Sequence, residues 1–189
     1  MEDERKLILR AKEGDEKSFG QLYDKHMPAI YRFIFLKVGG QKGRAEDISH
    51  EVFLSAWQNI GKYQFQGHPF SSWLYRIAGN AVIDYYRTRK TNVDIDSVPE
   101  EAVVADVSLG DKFDDRLDLE KIKFCLKKLE PGYQDVLIMK FVEELSNREI
   151  AAALEKSEGA VRVIQHRALK QLKKYVENER TNNRTIKEV

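Results

Sequence analysis

The stretch that decides the fold is Leu145-Ser-Asn-Arg-Glu-Ile-Ala-Ala-Ala-Leu154, followed by the break Glu155-Lys-Ser157 and then Glu158-Gly-Ala-Val-Arg162. Ser146 stands three residues before Glu149, the capping-box spacing in which each side chain satisfies an orphan amide at a helix start. Ile150 and Leu154 share the buried side of that helix, and the alanines between them let a second helix approach closely. After the short break, Ser157 is a fitting N-cap for the second helix. Two short helices around so brief a turn have helix-turn-helix spacing.

At 100° per residue, Val161, Ile164, Ala168, Leu172 and Tyr175 fall on one side of the second helix and face a core. Arg162, His166, Lys170 and Lys173 fall on the other, flanked by Arg167 and Lys174. Arginine grips guanine edges bidentately in the major groove, and lysines further along hold phosphates. An amphipathic helix whose charges only keep it soluble carries the same stripe. The capped helix and short turn ahead of it tip the reading toward duplex DNA.

Working outward, the charge divides unevenly along the 189 residues although the whole chain nets only +1. Residues 1–90 hold 15 Lys/Arg against 11 Asp/Glu, residues 91–118 hold 2 against 9, and residues 119–189 hold 15 against 11. Basic blocks condense on phosphate, whereas an acidic strip is repelled by it. The middle segment contains Pro99 and Gly110 and has no sustained period, so it reads as a tether. Fully extended, 28 residues reach on the order of 90 to 100 Å, more than two turns of duplex at roughly 34 Å each.

Both basic blocks show 3.6-residue periodicity, and the chain is read as all-α, two small helical domains joined by an acidic flexible linker. Helices are expected at 5–13, 16–38, 44–60 and 69–88, then at 119–129, 133–141, 147–154 and 158–177. A polar tail over 179–189 is expected to fray. The resulting division is 1–90, 91–118, 119–178 and 179–189.

In the first block, Phe70-Ser-Ser-Trp-Leu-Tyr-Arg-Ile-Ala-Gly-Asn80 continues to Arg87 as a helix despite Gly79, which costs about 1 kcal/mol relative to alanine. Leu74, Ala78, Val82 and Tyr85 form its core side. Trp73, Arg76, Asn80, Asp84 and Arg87 share the other side at spacings of three and four. Tyr63, Phe65, His68 and Phe70 crowd the loop just before it. Aromatic faces interleaved with cations suit unpaired bases, each worth roughly 1 to 3 kcal/mol when stacked, and a carboxamide can bond the edge of an extruded base. The same aromatics would also serve as ordinary core.

A third helix, Ala45-Glu-Asp-Ile-Ser-His-Glu-Val-Phe-Leu-Ser-Ala-Trp57, buries Ile48, Val52, Ala56 and Ile60. It leaves Asp47, His50 and Glu51 outside as a polar knob suited to a basic protein surface. The His50-Glu51 pair is not a zinc-protease motif, because position 54 is leucine.

Other classes are excluded by absence. Cys125 is the single cysteine, which leaves no internal disulfide framework and fits a reducing compartment. Neither a basic apolar leader nor a span of roughly 18 apolar residues is present, pointing to a soluble, cytoplasmic protein. Without a glycine-rich phosphate loop, paired catalytic carboxylates or metal-spaced ligands, no enzyme, cofactor or metal is expected.

Taken together, Arg44 through Trp57, Phe70 through Asn80 with Asp84 and Arg87, Leu145 through Ala151, and Glu158 through Arg162 with His166-Arg-Ala168 resemble the extracytoplasmic-function (ECF) sigma factors of bacterial RNA polymerase. That resemblance implies a region 2 domain that melts and binds the minus-ten element and a region 4 domain that reads the minus-thirty-five element. It assigns Tyr63, Phe65, Phe70, Trp73, Arg76, Asn80 and Arg87 to the minus-ten DNA, and Arg162, His166, Arg167 and Lys170 to the upstream duplex. It places Asp47, His50 and Glu51 on the clamp helices of core RNA polymerase, although His50 stands where the family usually has glutamine. An anti-sigma factor is a further implied partner. A stand-alone helix-turn-helix regulator binding operator duplex is the rival reading, and it leaves 70–90 unexplained.

Overall fold

Aspartates open the first two helices by local chemistry. In α1 (Glu4–Lys12), the Asp3 carboxylate accepts the Arg5 amide at 3.2 Å. In α2 (Glu16–Lys37), the Asp15 carboxylate accepts the Lys17 amide at 3.1 Å and the Ser18 hydroxyl at 2.6 Å. The two amide bonds satisfy donors that the helix itself leaves orphaned. The structure is a computed structural model and describes residues 3–65, 67–91 and 124–185. Its described residues contain helices and turns but no strand.

The C-terminus of α2 is closed by Gly39 and Gly40, both at positive φ. The Gly40 amide donates to the Phe35 carbonyl at 2.8 Å and the Gly39 amide to that of Leu36 at 3.2 Å. This paired pattern is a Schellman motif, and it turns the chain sharply into α3 (Lys42–Asn59). A single 3-10 turn (Ile60–Lys62) and a loop then lead to α4 (Phe70–Thr91).

Helix α2 is the centre of this first unit and packs against α1, α3 and α4, while α3 also packs on α4. Its run Phe33-Ile-Phe-Leu36 is buried, and it meets Leu22, Ile30, Val52, Phe70, Leu74 and Val82 in one core. Each large apolar side chain buried fully there contributes roughly 1.5 to 3 kcal/mol. The expected stripe Ile48, Val52, Ala56 and Ile60 is buried in full, as are Leu74, Ala78 and Val82 of α4. Tyr85 is only half-buried.

The second unit comprises a helical turn at 124–127, α5 (Pro131–Phe141), α6 (Asn147–Leu154) and α7 (Glu158–Thr185). Pro131 occupies the first turn of α5, where its missing amide donor is not needed. Val136, Leu137, Ile138 and Met139 are consecutive and all buried, and α7 lies across both α5 and α6. Leu126, Leu129, Leu137 and Ala168 form a local core lined by Tyr133, Leu172 and Tyr175. Cys125 is completely buried beside it.

The chain divides into units at Val103/Val104. The acidic linker expected over 91–118 falls almost wholly outside the described residues, as does the start of the helix expected at 119–129. The last helix, expected to end at 177, continues as α7 to Thr185, and residues 186–189 of the expected tail lie outside the described residues. No glycine or proline follows Gly159 to stop it. The apolar period ends at Tyr175, before the helix does.

Candidate nucleic-acid interface

The pair of helices α6 and α7 in the second unit is built by short-range bonds. The Glu149 amide donates to Ser146 Oγ at 3.2 Å and the Ser146 amide to Glu149 Oε2 at 2.8 Å, completing the capping box. Glu155 ends α6 in the left-handed conformation (φ 53°), and its successor's amide returns to the Ala151 carbonyl at 2.9 Å. Ser157 Oγ then accepts the Ala160 amide at 3.1 Å and caps α7. Gln165 Nε2 donates to Asn147 Oδ1 at 3.0 Å, pinning the two helices together.

This frame fixes which side of α7 meets water. Val161 and Ala168 are buried and Ile164, Leu172 and Tyr175 half-buried, as their spacing predicts. Arg162, His166, Arg167 and Lys170 are all exposed, together with Lys173 and Lys174. The stripe runs over 162–174 and is cationic but for two tethers, since Arg162 Nη2 lies 3.6 Å from Glu158 Oε2 and Lys173 Nζ lies 3.8 Å from Glu177 Oε1. Pairs so exposed are worth little in water and are easily exchanged for a phosphate or a base edge.

The first unit arranges its candidates differently. Tyr63 and Phe70 are buried, at 7% and 1% exposure, so neither presents a face to a base. Their rings stand 5.2 Å apart edge to face, and each lies 5.2 to 5.3 Å from the half-buried Trp73. The His26 ring reaches Phe70 from α2 at 5.6 Å. Burial, with the Glu4 charge nearby, pushes the Tyr63 phenol above its ordinary pKa, as expected for a ring in the core. The expectation that both rings serve as stacking platforms is therefore corrected: they hold the loop in place. Phe65 is the ring left outside, 59% exposed.

On α4, Asn80, Asp84 and Arg87 are exposed, whereas Arg76 is half-buried. Arg87 Nη2 pairs with Asp84 Oδ1 at 3.0 Å. Asn80 and Asp84 line a groove of about 660 Å³ between α3 and α4, and Asp47 and Glu51 line the facing wall. Arg44 stands 5.6 Å over the Tyr85 ring at the same groove. Three carboxylates and one carboxamide make it rich in acceptors. It favours groups that carry N–H donors and disfavours bare phosphate.

Asp47, His50 and Glu51 are all exposed on α3, but they do not share one hollow. His50 turns to the other side, lining a hollow of about 390 Å³ with Phe19, Tyr23, Phe53, Leu54 and Trp57. Sequence reasoning missed the groove walls contributed by Arg44, Ser55, Ile77 and Ala81. The signal was available in the matching i, i+3, i+4 and i+7 ridges of α3 (44, 47, 48, 51) and α4 (77, 80, 81, 84). Among the described residues, no group of three or more His, Cys, Asp or Glu comes together to hold a metal ion.

Comparison with known proteins agrees with this two-part construction. The family model for Sigma-70 region 2 matches residues 22–91, and that for Sigma-70, region 4 matches residues 119–172. The chain is 32% identical to the ECF RNA polymerase sigma factor SigW of Bacillus subtilis, over 90% of this chain and 95% of that one. It is also 32% identical to the ECF RNA polymerase sigma factor BldN of Streptomyces coelicolor, over 88% of this chain and 63% of BldN. Among solved structures it is similar to CnrH in complex with the cytosolic domain of CnrY (TM-score 0.70, 26% identity, 93% of this chain and 97% of that one). It shares the fold of the sigma factor RpoE from Bartonella quintana, solved with the anti-sigma factor NepR (TM-score 0.66, 22% identity, 85% of this chain and 98% of that one). A region 2 match over the very residues that a stand-alone regulator leaves unexplained, joined to a region 4 match and to a relative matched over nearly its whole length, places this chain in the ECF family of RNA polymerase sigma factors.

Proposed function

We propose that this sigma factor binds core RNA polymerase through its first unit, holds unpaired minus-ten bases on the α4 side of that unit, and reads the minus-thirty-five duplex with α7. The domains are 1–90 and 119–178, with 91–118 as an acidic tether between them. In the first unit Phe65, the exposed edge of Trp73, Arg76, Asn80 and Arg87 meet the melted strand, with Tyr63 and Phe70 as their buried support. In the second, Arg162, His166 and Arg167 address base edges, and Lys170 holds phosphate. Asp47 and Glu51, with His50 on the far flank of α3, dock on the clamp helices of the polymerase's largest subunit.

The observation that carries this reading is the contrast in surface chemistry. The α7 stripe is cationic and suits paired, phosphate-walled DNA. The α3–α4 groove is acceptor-rich and suits the donor edges of bases that have left the stack, and Phe65, exposed on the loop ahead of α4, offers such a base a flat face. An anti-sigma factor that covers one of these faces is part of the proposal, as is work in the cytoplasm, where the polymerase resides. No described helix is long and apolar enough to cross a membrane.

The test is Asn80→Ala in transcription reconstituted with core polymerase. Promoter opening, read by permanganate reactivity of the melted strand, is expected to fall several-fold while affinity for core polymerase is retained. Equal loss in both assays would remove Asn80 from the base-binding role.

A further inference from the structure

Helix α1 lies ahead of the segment that the region 2 model matches, and none of the roles above uses it. Yet its side chains converge on the loop that carries Phe65. Lys12 Nζ donates to the Tyr63 carbonyl at 2.9 Å, across 51 residues of chain. The Arg5 guanidinium carbon stands over the Phe65 ring, 5.4 Å from its centre. Glu4 anchors the first turn of the same helix, accepting from His26 Nε2 at 2.6 Å and pairing with Lys25 Nζ at 3.1 Å. The hydrogen bond from His26 holds the Glu4 carboxyl below its ordinary pKa against the opposing effect of burial. His26 in turn packs on Phe70, the ring that supports the loop from below.

The geometry has a particular consequence for Phe65. Arg5 covers one side of the ring, yet the residue keeps 59% of its surface accessible, so the opposite side is open to solvent. A flat ring on an exposed loop ordinarily loses rotamer freedom when a base stacks on it, which weakens the complex. A cation seated on the back of the ring restricts that freedom beforehand, and the bond from Lys12 fixes the backbone two residues earlier. We infer that α1 is a working part of the single-strand interface: Arg5 and Lys12 are positioning residues that present Phe65 as a pre-set stacking platform for one unpaired base of the opened promoter. This rests on the proposed minus-ten role of the loop.

The test is a double-mutant cycle in the reconstituted full-length holoenzyme, using Arg5→Ala, Phe65→Ala and their combination. Arg5→Lys and Lys12→Met serve as companion variants. The readouts are affinity for a fluorescent single-stranded non-template oligonucleotide and the extent of promoter opening. Thermal midpoint and affinity for minus-thirty-five duplex are followed in parallel. Loss of one stacked base weakens binding about tenfold, and loss of the cation behind the ring about threefold. Phe65→Ala is expected to show the first effect and Arg5→Ala the second, with Arg5→Lys intermediate and Lys12→Met reduced like Arg5→Ala. The combined variant should be no worse than Phe65→Ala alone, the duplex affinity should not move, and the thermal midpoint should hold for the Arg5 variants and fall only slightly for Lys12→Met, which loses one part-buried hydrogen bond.

If Phe65→Ala impairs binding but Arg5→Ala and Lys12→Met do not, the role of α1 is overturned and the loop reading survives. If Arg5→Ala weakens binding as much without Phe65 as with it, Arg5 acts on the nucleic acid directly and the positioning role is overturned. If Phe65→Ala changes nothing, the loop reading fails and the inference fails with it.

Discussion

On α7 all four residues assigned to the upstream duplex point to solvent, whereas around residues 63–73 three of the four aromatic rings pack on one another and only Phe65 stays well outside. The two proposed DNA contacts are thus prepared in two ways. A paired duplex offers a regular groove, and a regular helix with one cationic side meets it without further shaping. An unpaired strand offers no fixed geometry, so the protein must supply rigidity. On the proposed reading it does so with Tyr63, Phe70 and much of Trp73, which pack on one another beneath the loop. In the first unit residue type and role part company, since two rings suited to stacking are spent on support.

The largest effect that would sharpen this comparison is Phe70→Ala. Removing a ring that is 1% exposed should destabilise the first unit by about 3 to 5 kcal/mol, read from urea denaturation. A shift below about 1 kcal/mol would show that the ring is not support. Next, Arg162→Ala should weaken minus-thirty-five discrimination by roughly 1 to 3 kcal/mol at one base pair and leave folding intact. The check is a promoter library in which each position is varied, and an unchanged preference throughout would break the assignment. Ser146→Ala removes the capping hydroxyl of α6 and should cost about 1 kcal/mol of stability in the second unit.

Gly79 sharpens the comparison from the opposite direction. It sits within α4 next to Asn80, and a Cβ placed there meets nothing within 4 Å. Gly79→Ala should therefore stabilise the first unit by up to about 1 kcal/mol in thermal unfolding. If it stabilises and also lowers promoter opening, the bare backbone at 79 serves approach of the melted strand. The smallest expected effect is that of pH on the docking of α1. The Glu4 carboxyl is held low chiefly by its bond from His26, so its stabilisation is present above the ordinary glutamate range and is lost as pH falls through the lowered value. Glu4→Gln should flatten that acid limb in pH-dependent unfolding.

How much of this was legible in the sequence depends on the distance over which each feature is determined. The capping box at Ser146 and Glu149, the cap at Ser157 and the two sides of α7 are set within a few residues, and the spacing alone places them correctly. The exposed edge of α4 at Asn80, Asp84 and Arg87 is likewise a matter of periodicity. The loop at 60–69 is different. Whether Tyr63 and Phe70 face water is decided by His26 of α2 and Lys12 of α1, and neither is near in sequence. Aromatic residues around a glycine and a proline look alike whether they are platform or pillar. For the same reason, the splitting of Asp47 and Glu51 from His50 follows from which neighbours flank α3, something its own sequence does not contain.

The sealed thiol of Cys125 has a practical consequence. The chain carries no other cysteine, so a maleimide or disulfide reagent added to the folded protein can react only while the second unit transiently opens. The labelling rate is then a clock for breathing of that unit under native conditions. A cysteine introduced in place of Phe65 or Arg162, both exposed, would outpace it, giving a one-colour reporter on either proposed DNA face without first deleting the natural sulfur.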